Sequence, residues 1–358
     1  MVIFSQRPIL IVGIGGAAWW VMQGFQRCGI QVNGFIVTDP TYETEEYCCD
    51  LPVYKAKSWQ DLPYRKSEYT VVIGVMNPVI ETLQIKSALE EQGWQNIYTF
   101  SEFARYVREN TGVNCCMLED LRHSFSDLQI QSVNNIFYDS VSKNIFEEFI
   151  NYCSDLRDTS DALIEPSPYY APTLPRWNER IRIVDCGSFD GGAVKEAVRN
   201  NYSIELAICL EPDYSNYHRM VSNLQGLPDV VCLPLAVGDQ VKEMRFNARG
   251  TTGSRFEEAE NGQLVQCVTL DSLLPSGNVN LIKMDIEGAE YSALLGARNL
   301  IVRSRPGLAI SVYHLTGDIM KIPQLLFDYL GNSYEYYLRR HSRTIADTIL
   351  YAFPKERR

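Results

Sequence analysis

The sequence predicts an α/β protein with two sheets, one in each half of the chain. Short apolar runs alternate with amphipathic helical patterns over residues 1–110 and again over residues 181–358. Such alternation is typical of parallel strands joined by crossover helices. Each half also has a glycine-rich turn after an apolar run, "IVGIGGAA" at 11–18 and "VDCGSFDGG" at 184–192. A strand that ends in a glycine turn and leads into a helix favours a nucleotide-binding α/β unit.

The N-terminal part, residues 1–110, is predicted to be a small Rossmann-like parallel α/β domain. "PILIVG" (8–13) reads as its first strand, and the segment after it has apolar residues at positions 17, 18, 21, 22 and 25, on one helical face. Further apolar runs and helical patterns alternate up to a last helix from Ser101.

Residues 111–180 interrupt this alternation. The segment 135–156 predicts a helix, and "IEPSPYYAPTLPRW" (164–177) is a loop crowded with prolines and aromatic residues. We interpret the region as a linker and a lid, in which Tyr170 is a candidate for binding the substrate. The neighbouring Tyr169, Arg176 and Trp177 also suit a sugar or a phosphate-bearing acceptor, although packing explains them equally well.

From residue 181 the alternation returns. Strands are predicted at "RIVDCG", "ELAICLEP", "VVCLPLAVG", "NLIKMDIEG", "GLAISVYH", "EYYLRRH" and "DTILYAF". The last two strands follow the last helix, which predicts a mixed sheet with an antiparallel C-terminal edge. Two further runs, "EMRFNA" and "LVQCVTLDSLL", suggest an added hairpin.

Composition and charge limit the classes of function. The 46% hydrophobic and 22% charged residues are those of a globular protein. A formal net charge of −11 argues against a nucleic-acid binder, which would need clustered Lys and Arg. No apolar run approaches a membrane span, so we expect a cytoplasmic protein without a membrane partner. The ten cysteines are scattered without a zinc spacing and are expected to be reduced.

The turn after the first strand of the second half suggests a particular cofactor. Asp185 stands two residues before Gly187, and the next strand ends at Glu211, 26 residues after Asp185. An acid at the end of that next strand can accept both hydroxyls of a ribose. The turn is not the G-x-G-x-x-G of dinucleotide sites. An acid before the first glycine suits a cofactor with a cationic amino group, which points to S-adenosylmethionine.

A second group of charged residues ends another strand. In "NLIKMDIEGAE", alternation places Lys283, Asp285 and Glu287 on one side of the strand. His314 ends the strand-like run "GLAISVYH" at the same rim. We predict Asp285 and His314 as catalytic residues and Glu287 as a substrate-binding residue. No metal is predicted, although these three residues together are an alternative divalent-ion site.

These motifs resemble the FkbM-type S-adenosylmethionine-dependent methyltransferases. The resemblance covers residues from about 130 to the C-terminus. It rests on motifs that occur in the same order here: "VDCGSFDGG", "EP", "PLAVGD", "VTLDSLL", "NLIKMDIEGAE", "SVYH" and "YYLRRH…DTILYAFP". It implies a class I methyltransferase sheet and O-methylation, often of sugar or polyketide hydroxyls.

The resemblance also implies specific contacts. Glu211 is expected on the ribose and Ala236 and Val237 beside the adenine. The full set of predicted cofactor-binding residues is Asp185, Cys186, Gly187, Ser188, Gly191, Glu211, Pro212, Ala236, Val237 and Asp285. Two positions depart from the pattern: Phe189 stands where a glycine is common, and Ser311 where many relatives carry Glu. Ser254, in the glycine-rich loop "RGTTGSR" (249–255), is a further substrate-binding candidate.

The N-terminal turn permits other functions. Gly13, Gly15 and Ala18 fit G-x-G-x-x-A, and Asp39 follows 21 residues after Ala18. The domain nevertheless looks more like the small Rossmann-like domain that precedes sugar O-acyltransferases. A scaffold or dimerisation domain, a sugar-nucleotide site and an NAD site all remain open, and a homodimer is possible.

The sequence as a whole therefore predicts an S-adenosylmethionine-dependent O-methyltransferase. Its acceptor is expected to be a hydroxyl of a small molecule such as a sugar, a nucleotide sugar or a glycan precursor. The alternatives are an NAD-linked oxidoreductase that uses the first domain and a non-catalytic nucleotide-sugar-binding protein.

Overall fold

A computed structural model describes residues 4–38, 46–55, 62–75, 82–112, 120–155, 164–177, 180–246, 262–342 and 344–357. The chain divides into two compact units. The first unit comprises Met1–Ser124, Glu148–Ser160 and Ser342–Thr344. The second unit comprises Phe125–Glu147, Asp161–His341 and Ile345–Arg358.

The first unit is a six-stranded sheet with helices on both faces. Its elements are β1 Ile9–Val12, α1 Gly16–Arg27, β2 Gly34–Val37, β3 Tyr47–Cys48, β4 Leu51–Lys55, β5 Thr70–Ile73, α2 Thr82–Glu91, β6 Asn96–Tyr98, α3 Phe100–Thr111 and α4 Leu121–Ser124. The strand order is β3-β4-β2-β1-β5-β6, and only the pairing of β3 with β4 is antiparallel. Every residue of β1, β2 and β5 is buried, as expected of parallel strands covered on both faces.

The second unit contains the larger sheet. Its helices and strands are α5 Asp127–Asn134, β7 Arg180–Cys186, α7 Gly192–Arg199, β8 Ser203–Leu210, α8 Tyr214–Leu224, β9 Val230–Leu233, β10 Leu235–Val237, β11 Lys242–Phe246, β12 Gln263–Val268, α9 Leu270–Leu273, β13 Leu281–Met284, α10 Glu290–Leu295, α11 Arg298–Ser304, β14 Gly307–Ser311, α12 Asp318–Leu330, β15 Tyr334–Arg340 and β16 Thr348–Pro354. A further helix, α6 at Ser140–Asp155, begins in this unit and ends in the first.

The seven strands of this sheet are ordered β15-β16-β14-β13-β7-β8-β9. The five from β14 to β9 are parallel, and β16 and β15 are antiparallel additions. The predicted mixed α/β fold with an antiparallel C-terminal edge is therefore confirmed. The expected hairpin is also present, as the antiparallel pair of β11 and β12, and β10 joins β12 in parallel.

The strand order determines which chain segments meet. Because β13 lies between β7 and β14, the carboxyl ends of these three strands are neighbours at one edge of the sheet. Asp185 pairs in register with Lys283, and Met284 with Ile310. Residues about 100 positions apart in sequence are thereby brought side by side.

Strand β15 lies at the edge of the sheet, yet all seven of its residues are buried. Two segments that precede β7 in the chain form bridges with it. The Tyr138 N–H donates to the carbonyl of Tyr336 (2.8 Å), and the Glu165 N–H donates to the carbonyl of Arg340 (2.9 Å). Backbone groups of the edge strand are therefore bonded to these linker residues.

Among the described residues, no helix combines the length and the apolar composition that crossing a membrane requires.

Candidate active site

The turn between β7 and α7 depends on glycine at two positions. Gly187 has a φ of +74°, and a Cβ atom there would lie 1.9 Å from the carbonyl oxygen of Asp285. Gly191 has a φ of +81°, and its Cβ would meet the Leu224 side chain at 2.7 Å. Between them, the Ser188 hydroxyl donates to the carbonyl of Asp185 (2.9 Å). The turn thus packs its backbone against the segment after β13 with no room for a side chain.

A buried ion pair lies beneath this turn. The Lys283 ammonium is 2.9 Å from Oδ1 of Asp185 and donates to the carbonyl of Gly187 at 2.6 Å. Burial would lower the pKa of Lys283, but the charges of Asp185 and Asp285 raise it, so the lysine is charged. Asp185 is fully buried, and its Oδ2 has no hydrogen-bond partner among the described residues. One oxygen of this carboxylate therefore retains its capacity to accept a donor.

Glu211, directly after β8, holds the same turn from the other side. Its carboxylate accepts the N–H groups of Phe189 (2.9 Å) and Asp213 (3.0 Å). Burial raises the pKa of Glu211 to about 7 in spite of these bonds. The adjacent Pro212 is buried and accepts the side-chain amide of Gln263 through its carbonyl (2.9 Å).

Phe189 keeps the left-handed backbone conformation that favours glycine, with a φ of +51°. Left-handed geometry costs a non-glycine residue about 1–2 kcal/mol. Its ring lies 5.3 Å from the guanidinium carbon of Arg219, a contact that offsets part of this cost. Phe189 thus holds a backbone conformation that glycine adopts without strain.

Asp285 is the centre of a group of hydrogen-bond donors. Its Oδ2 accepts the hydroxyl of Tyr169 (2.7 Å), and its Oδ1 accepts the hydroxyls of Ser311 (2.9 Å) and Tyr313 (3.5 Å). Burial opposes ionisation, but Lys283, the neighbouring His314 and the hydroxyls outweigh it, so the pKa of Asp285 is lowered. Its side chain is still 27% exposed, which leaves it accessible to a ligand.

His314 is nearly buried beside Asp285. Its Nδ1 lies 2.7 Å from Oε1 of Glu290, and its Nε2 lies 3.4 Å from Oδ1 of Asp285 and 3.6 Å from Oε2 of Glu287. Burial lowers the pKa of His314, but the bond to Glu290 and the surrounding carboxylates raise it to about 9. Nε2 has no hydrogen-bond partner within the described ranges.

The loop between β13 and α10 is short and tightly constrained. Glu287 and Gly288 both adopt positive φ, at +57° and +102°. The fully buried carboxylate of Glu290 accepts the N–H of Ile286 (2.8 Å) and the N–H of Gly288 (2.9 Å). Glu290 therefore fixes the loop that carries Asp285 and Glu287. Sequence reasoning missed this role, although the residue closes the quoted motif "KMDIEGAE".

Asp285, Glu290 and His314 lie within metal-ligand distance of one another, each offering an atom within 4.8 Å of the others. Each carboxylate oxygen of Asp285 and Glu290 already accepts at least one hydrogen bond from the protein. These bonds fix the positions of the two carboxylates around His314, whose Nε2 lies 3.4 Å from Oδ1 of Asp285.

The lid loop places its two tyrosines in different surroundings. Tyr169 bonds to Asp285, whereas Tyr170 donates to the carbonyl of Ala193 (3.0 Å) and its ring packs against Tyr202. Tyr169 rather than Tyr170 is therefore the tyrosine at the charged cluster, and the structure gives the predicted role of Tyr170 no support. Trp177 stacks on Phe353 at 4.2 Å and serves packing.

The other predicted residues are placed as follows. The Cys186 side chain is fully buried, and burial raises the pKa of its thiol. Ala236 and Val237 are buried on β10. Ser254 lies outside the described residues, as does Asp39 of the N-terminal motif. In the first unit, the turn at Gly13 has a φ of +90° and packs close to Val75.

The chain is an α/β protein whose buried charges lie at the carboxyl ends of its central strands, where open α/β sheets bind their ligands. A family model described as the methyltransferase FkbM domain matches residues 135–336, more than half of the chain. The chain belongs to this family and is a methyltransferase. No curated protein matches the sequence.

Solved structures agree on the fold. The chain is similar to the crystal structure of methyltransferase FkbM from Methylobacillus flagellatus KT, with a TM-score of 0.75 and 19% identity, over 98% of this chain and 90% of that one. A ribosomal protein L11 methylase from Lactobacillus delbrueckii subsp. bulgaricus matches with a TM-score of 0.27 and 11% identity, over 61% and 81% of the two chains. The first likeness supports the fold, and the second is too distant to support any inference.

Proposed function

We propose that the protein is an S-adenosylmethionine-dependent O-methyltransferase whose acceptor is a hydroxyl of a small molecule. The observation that carries the proposal is the pairing of His314 and Asp285 at the carboxyl ends of adjacent strands. Asp285 already accepts hydroxyl donors from three side chains, so its surroundings suit an alcohol. The unsatisfied Nε2 of His314 is 3.4 Å from the same carboxylate.

The residues around the glycine turn fit the proposed cofactor. The buried Oδ2 of Asp185 has no donor among the described residues, and it suits the ammonium of the methionine moiety. Glu211 suits the two ribose hydroxyls, since its carboxylate has lone pairs beyond those used by two N–H groups. When bound, S-adenosylmethionine supplies an electrophilic methyl group on a sulfonium.

The chain's own residues then have three tasks. Asp285 and Glu287, the partly exposed carboxylates, orient the acceptor hydroxyl by accepting hydrogen bonds. Nε2 of neutral His314 takes the hydroxyl proton as the new O–C bond forms and the bond between methyl carbon and sulfur breaks, which would leave the donor as a neutral thioether. The resulting imidazolium is stabilised by the surrounding carboxylates. Positioning contributes most, because aligned reactants save roughly 7–11 kcal/mol of the barrier.

The proposed acceptor is a carbohydrate, such as a sugar, a nucleotide sugar or a glycan precursor. The support is chemical: two accessible carboxylates and a tyrosine hydroxyl lie close enough together to bind adjacent hydroxyl groups of one polyol. A cytoplasmic location and assembly as a homodimer belong to the same proposal.

Calorimetry with S-adenosylmethionine tests the cofactor, and mass spectrometry of small-molecule pools tests the acceptor. We expect saturable binding, and a product heavier by one methylene unit that appears only when protein and cofactor are both present. A folded protein that does not bind S-adenosylmethionine would overturn the proposal. Glu211→Gln, which removes the charge at the ribose position, is the matched variant and should weaken binding.

A further inference from the structure

We propose that Glu290 is the positioning residue for His314: it fixes the imidazole in its Nδ1–H form and turns Nε2 toward Asp285. This inference rests on the proposed function, in which Nε2 accepts the proton of the acceptor. Glu290 is fully buried and has no contact with solvent, so its effect on the reaction passes through the histidine and the loop. The sequence alone predicted no role for Glu290.

The direction of the hydrogen bond follows from the chemistry of the pair. Oε1 of Glu290 accepts the N–H of Ile286 and lies 2.7 Å from Nδ1 of His314. An ionised carboxylate can only accept, so Nδ1 carries the proton that is shared between them. When the imidazole is neutral, its lone pair is then on Nε2.

The second nitrogen faces the reaction side of the cluster. Nε2 is buried and lacks a hydrogen-bond partner in the described part of the chain, yet it lies 3.4 Å from Asp285 and 3.6 Å from Glu287. These two carboxylates are each 27% exposed, whereas Glu290 is 0% exposed. The imidazole therefore lies between the buried carboxylate of Glu290 and the partly exposed carboxylates of Asp285 and Glu287. A hydroxyl bound by Asp285 lies close to Nε2.

Glu290 also holds the loop that carries the carboxylates of Asp285 and Glu287. Its two oxygens also bind the N–H groups of Ile286 and Gly288, so the same carboxylate fixes the imidazole and the loop between Asp285 and α10. Glu290 thus holds both the proposed base, His314, and the loop that binds the acceptor hydroxyl. The other acids near His314 do not have this double role.

The charged and titratable groups that face His314 come from three segments. Asp285 and Glu287 belong to the loop after β13, and Glu290 is the first residue of α10. Tyr313 precedes the histidine, and Asp347, directly before β16, interacts electrostatically with it. The raised pKa of His314, about 9, reflects chiefly Glu290, Asp285 and Glu287. Since the neutral form is the base, turnover should rise with pH as His314 loses its proton.

The test compares two variants. Each neutralises one carboxylate beside the imidazole of His314, and the two carboxylates lie near different ring nitrogens. Glu290→Gln removes the carboxylate at Nδ1, and Glu287→Gln removes one of the two carboxylates near Nε2 while Asp285 remains. Nitrogen NMR of histidine-labelled protein reports tautomer and pKa directly. The chain has four histidines, and His314→Asn identifies the relevant signal.

For the wild-type protein we expect the Nδ1–H form. In Glu290→Gln the pKa of His314 should fall by roughly one unit or more, and the Nδ1–H preference should be lost. In Glu287→Gln the pKa should fall while the Nδ1–H form persists. The limb of the pH–rate profile that rises with pH should move to lower pH in Glu290→Gln, and the plateau should drop roughly 10–100-fold, as for other residues that orient a histidine.

Glu290→Asp keeps the charge and serves as the second variant if the amide variant does not fold, with thermal unfolding as the check. We expect it to keep the pKa raised and to restore the position of the pH limb. An unchanged tautomer and pKa in Glu290→Gln would overturn the inference. Because the NMR measurement needs neither cofactor nor acceptor, a normal NMR result without any methyl transfer would overturn only the proposed function.

Discussion

The turn at Gly13 and the turn at Gly187 both follow a strand whose last four residues are buried, and both place glycine at positive φ, +90° and +74°. Their surroundings differ. Within the described residues of 4–112, the buried polar side chains are Thr70, Thr99 and Ser101, none of them charged. Around Gly187 the buried side chains include Asp185, Lys283, Glu211 and Glu290. Similar backbone geometry thus occurs beside buried charges in the second unit and without them in residues 4–112, as far as these are described.

This difference shows which feature carries chemical information. A glycine turn records only that the backbone must bend or approach another group closely. Buried charges are costly and persist where partners compensate them, so they indicate a place where ligands or protons are handled. The N-terminal turn matches the dinucleotide-binding pattern G-x-G-x-x-A more closely than the turn at Gly187 does. The described residues around it nevertheless offer no buried ionisable group.

The largest expected effect comes from adding a methyl group to each turn. Gly187→Ala places a Cβ 1.9 Å from the carbonyl oxygen of Asp285, whereas a Cβ at Gly15 meets nothing within 4 Å. We expect Gly187→Ala to cost about 4 kcal/mol of stability and to abolish binding of S-adenosylmethionine. Gly15→Ala should change stability by about 0.5 kcal/mol at most. Calorimetric unfolding and titration measure both, and wild-type binding by Gly187→Ala would contradict the comparison.

Removing one charged side chain from each unit tests whether charge distinguishes the two units. Asp285→Asn should lower the rate of methyl transfer by about 10²–10⁴-fold, because the amide cannot hold the acceptor hydroxyl and the imidazolium equally well. Glu102→Gln in the first unit, where Glu102 closes a helix cap with Thr99, should leave the rate within about twofold, since capping affects only local stability. Transfer of a labelled methyl group is the measurement. Equal losses in the two variants would show that the charges at the ends of the central strands are not what distinguishes the units.

A smaller effect concerns pH. The pKa of Glu211 is about 7 because of burial, so the side chain is a carboxylate above that pH and neutral below it. Ionised acceptors form the stronger hydrogen bonds, and affinity for S-adenosylmethionine should therefore fall as pH drops through 7, by roughly tenfold between pH 8 and pH 6. Glu211→Gln should bind weakly at both pH values. Titration at several pH values checks this, and a flat profile in the wild type would argue against a ribose contact.

The smallest expected effect separates strain from packing at Phe189. Phe189→Ala removes the ring and keeps the strained φ of +51°, whereas Phe189→Gly removes both. The glycine variant should be more stable than the alanine variant by about 1 kcal/mol, less the higher entropy of glycine in the unfolded chain. Thermal unfolding of the pair measures the difference. Equal stabilities would mean that the turn relaxes when the ring is lost.

The fold could be predicted from the sequence because most of its central strands are short runs rich in apolar residues that alternate with helical patterns. The order of elements gave the sheet type, the antiparallel edge and the hairpin of β11 and β12. The boundaries at residues 110 and 180 stay a prediction. The two units found in the structure assign parts of the linker to each, which local patterns cannot foresee because contacts between distant segments determine it.

The site was only partly predictable. Alternation predicted Lys283, Asp285 and Glu287 on one side of a single strand, but only Lys283 belongs to β13, and Asp285 and Glu287 lie in the loop after it. The partner of each charged residue was not predictable either. Lys283 pairs with Asp185, a contact set by strand register rather than by spacing along the chain. The sequence also could not choose between Tyr169 and Tyr170, because neighbouring residues in a loop point in directions that only the backbone settles.

The covered edge of the large sheet bears on how the chain behaves at high concentration. An open edge strand presents N–H and C=O groups on which another chain can add a strand, a common start of aggregation. On β15, bridges from Tyr138 and Glu165 already take the carbonyls of Tyr336 and Arg340. The segments that precede β7 thus protect the edge of the sheet that β15 forms. Truncating them should leave the catalytic strands in place while exposing a surface prone to self-association.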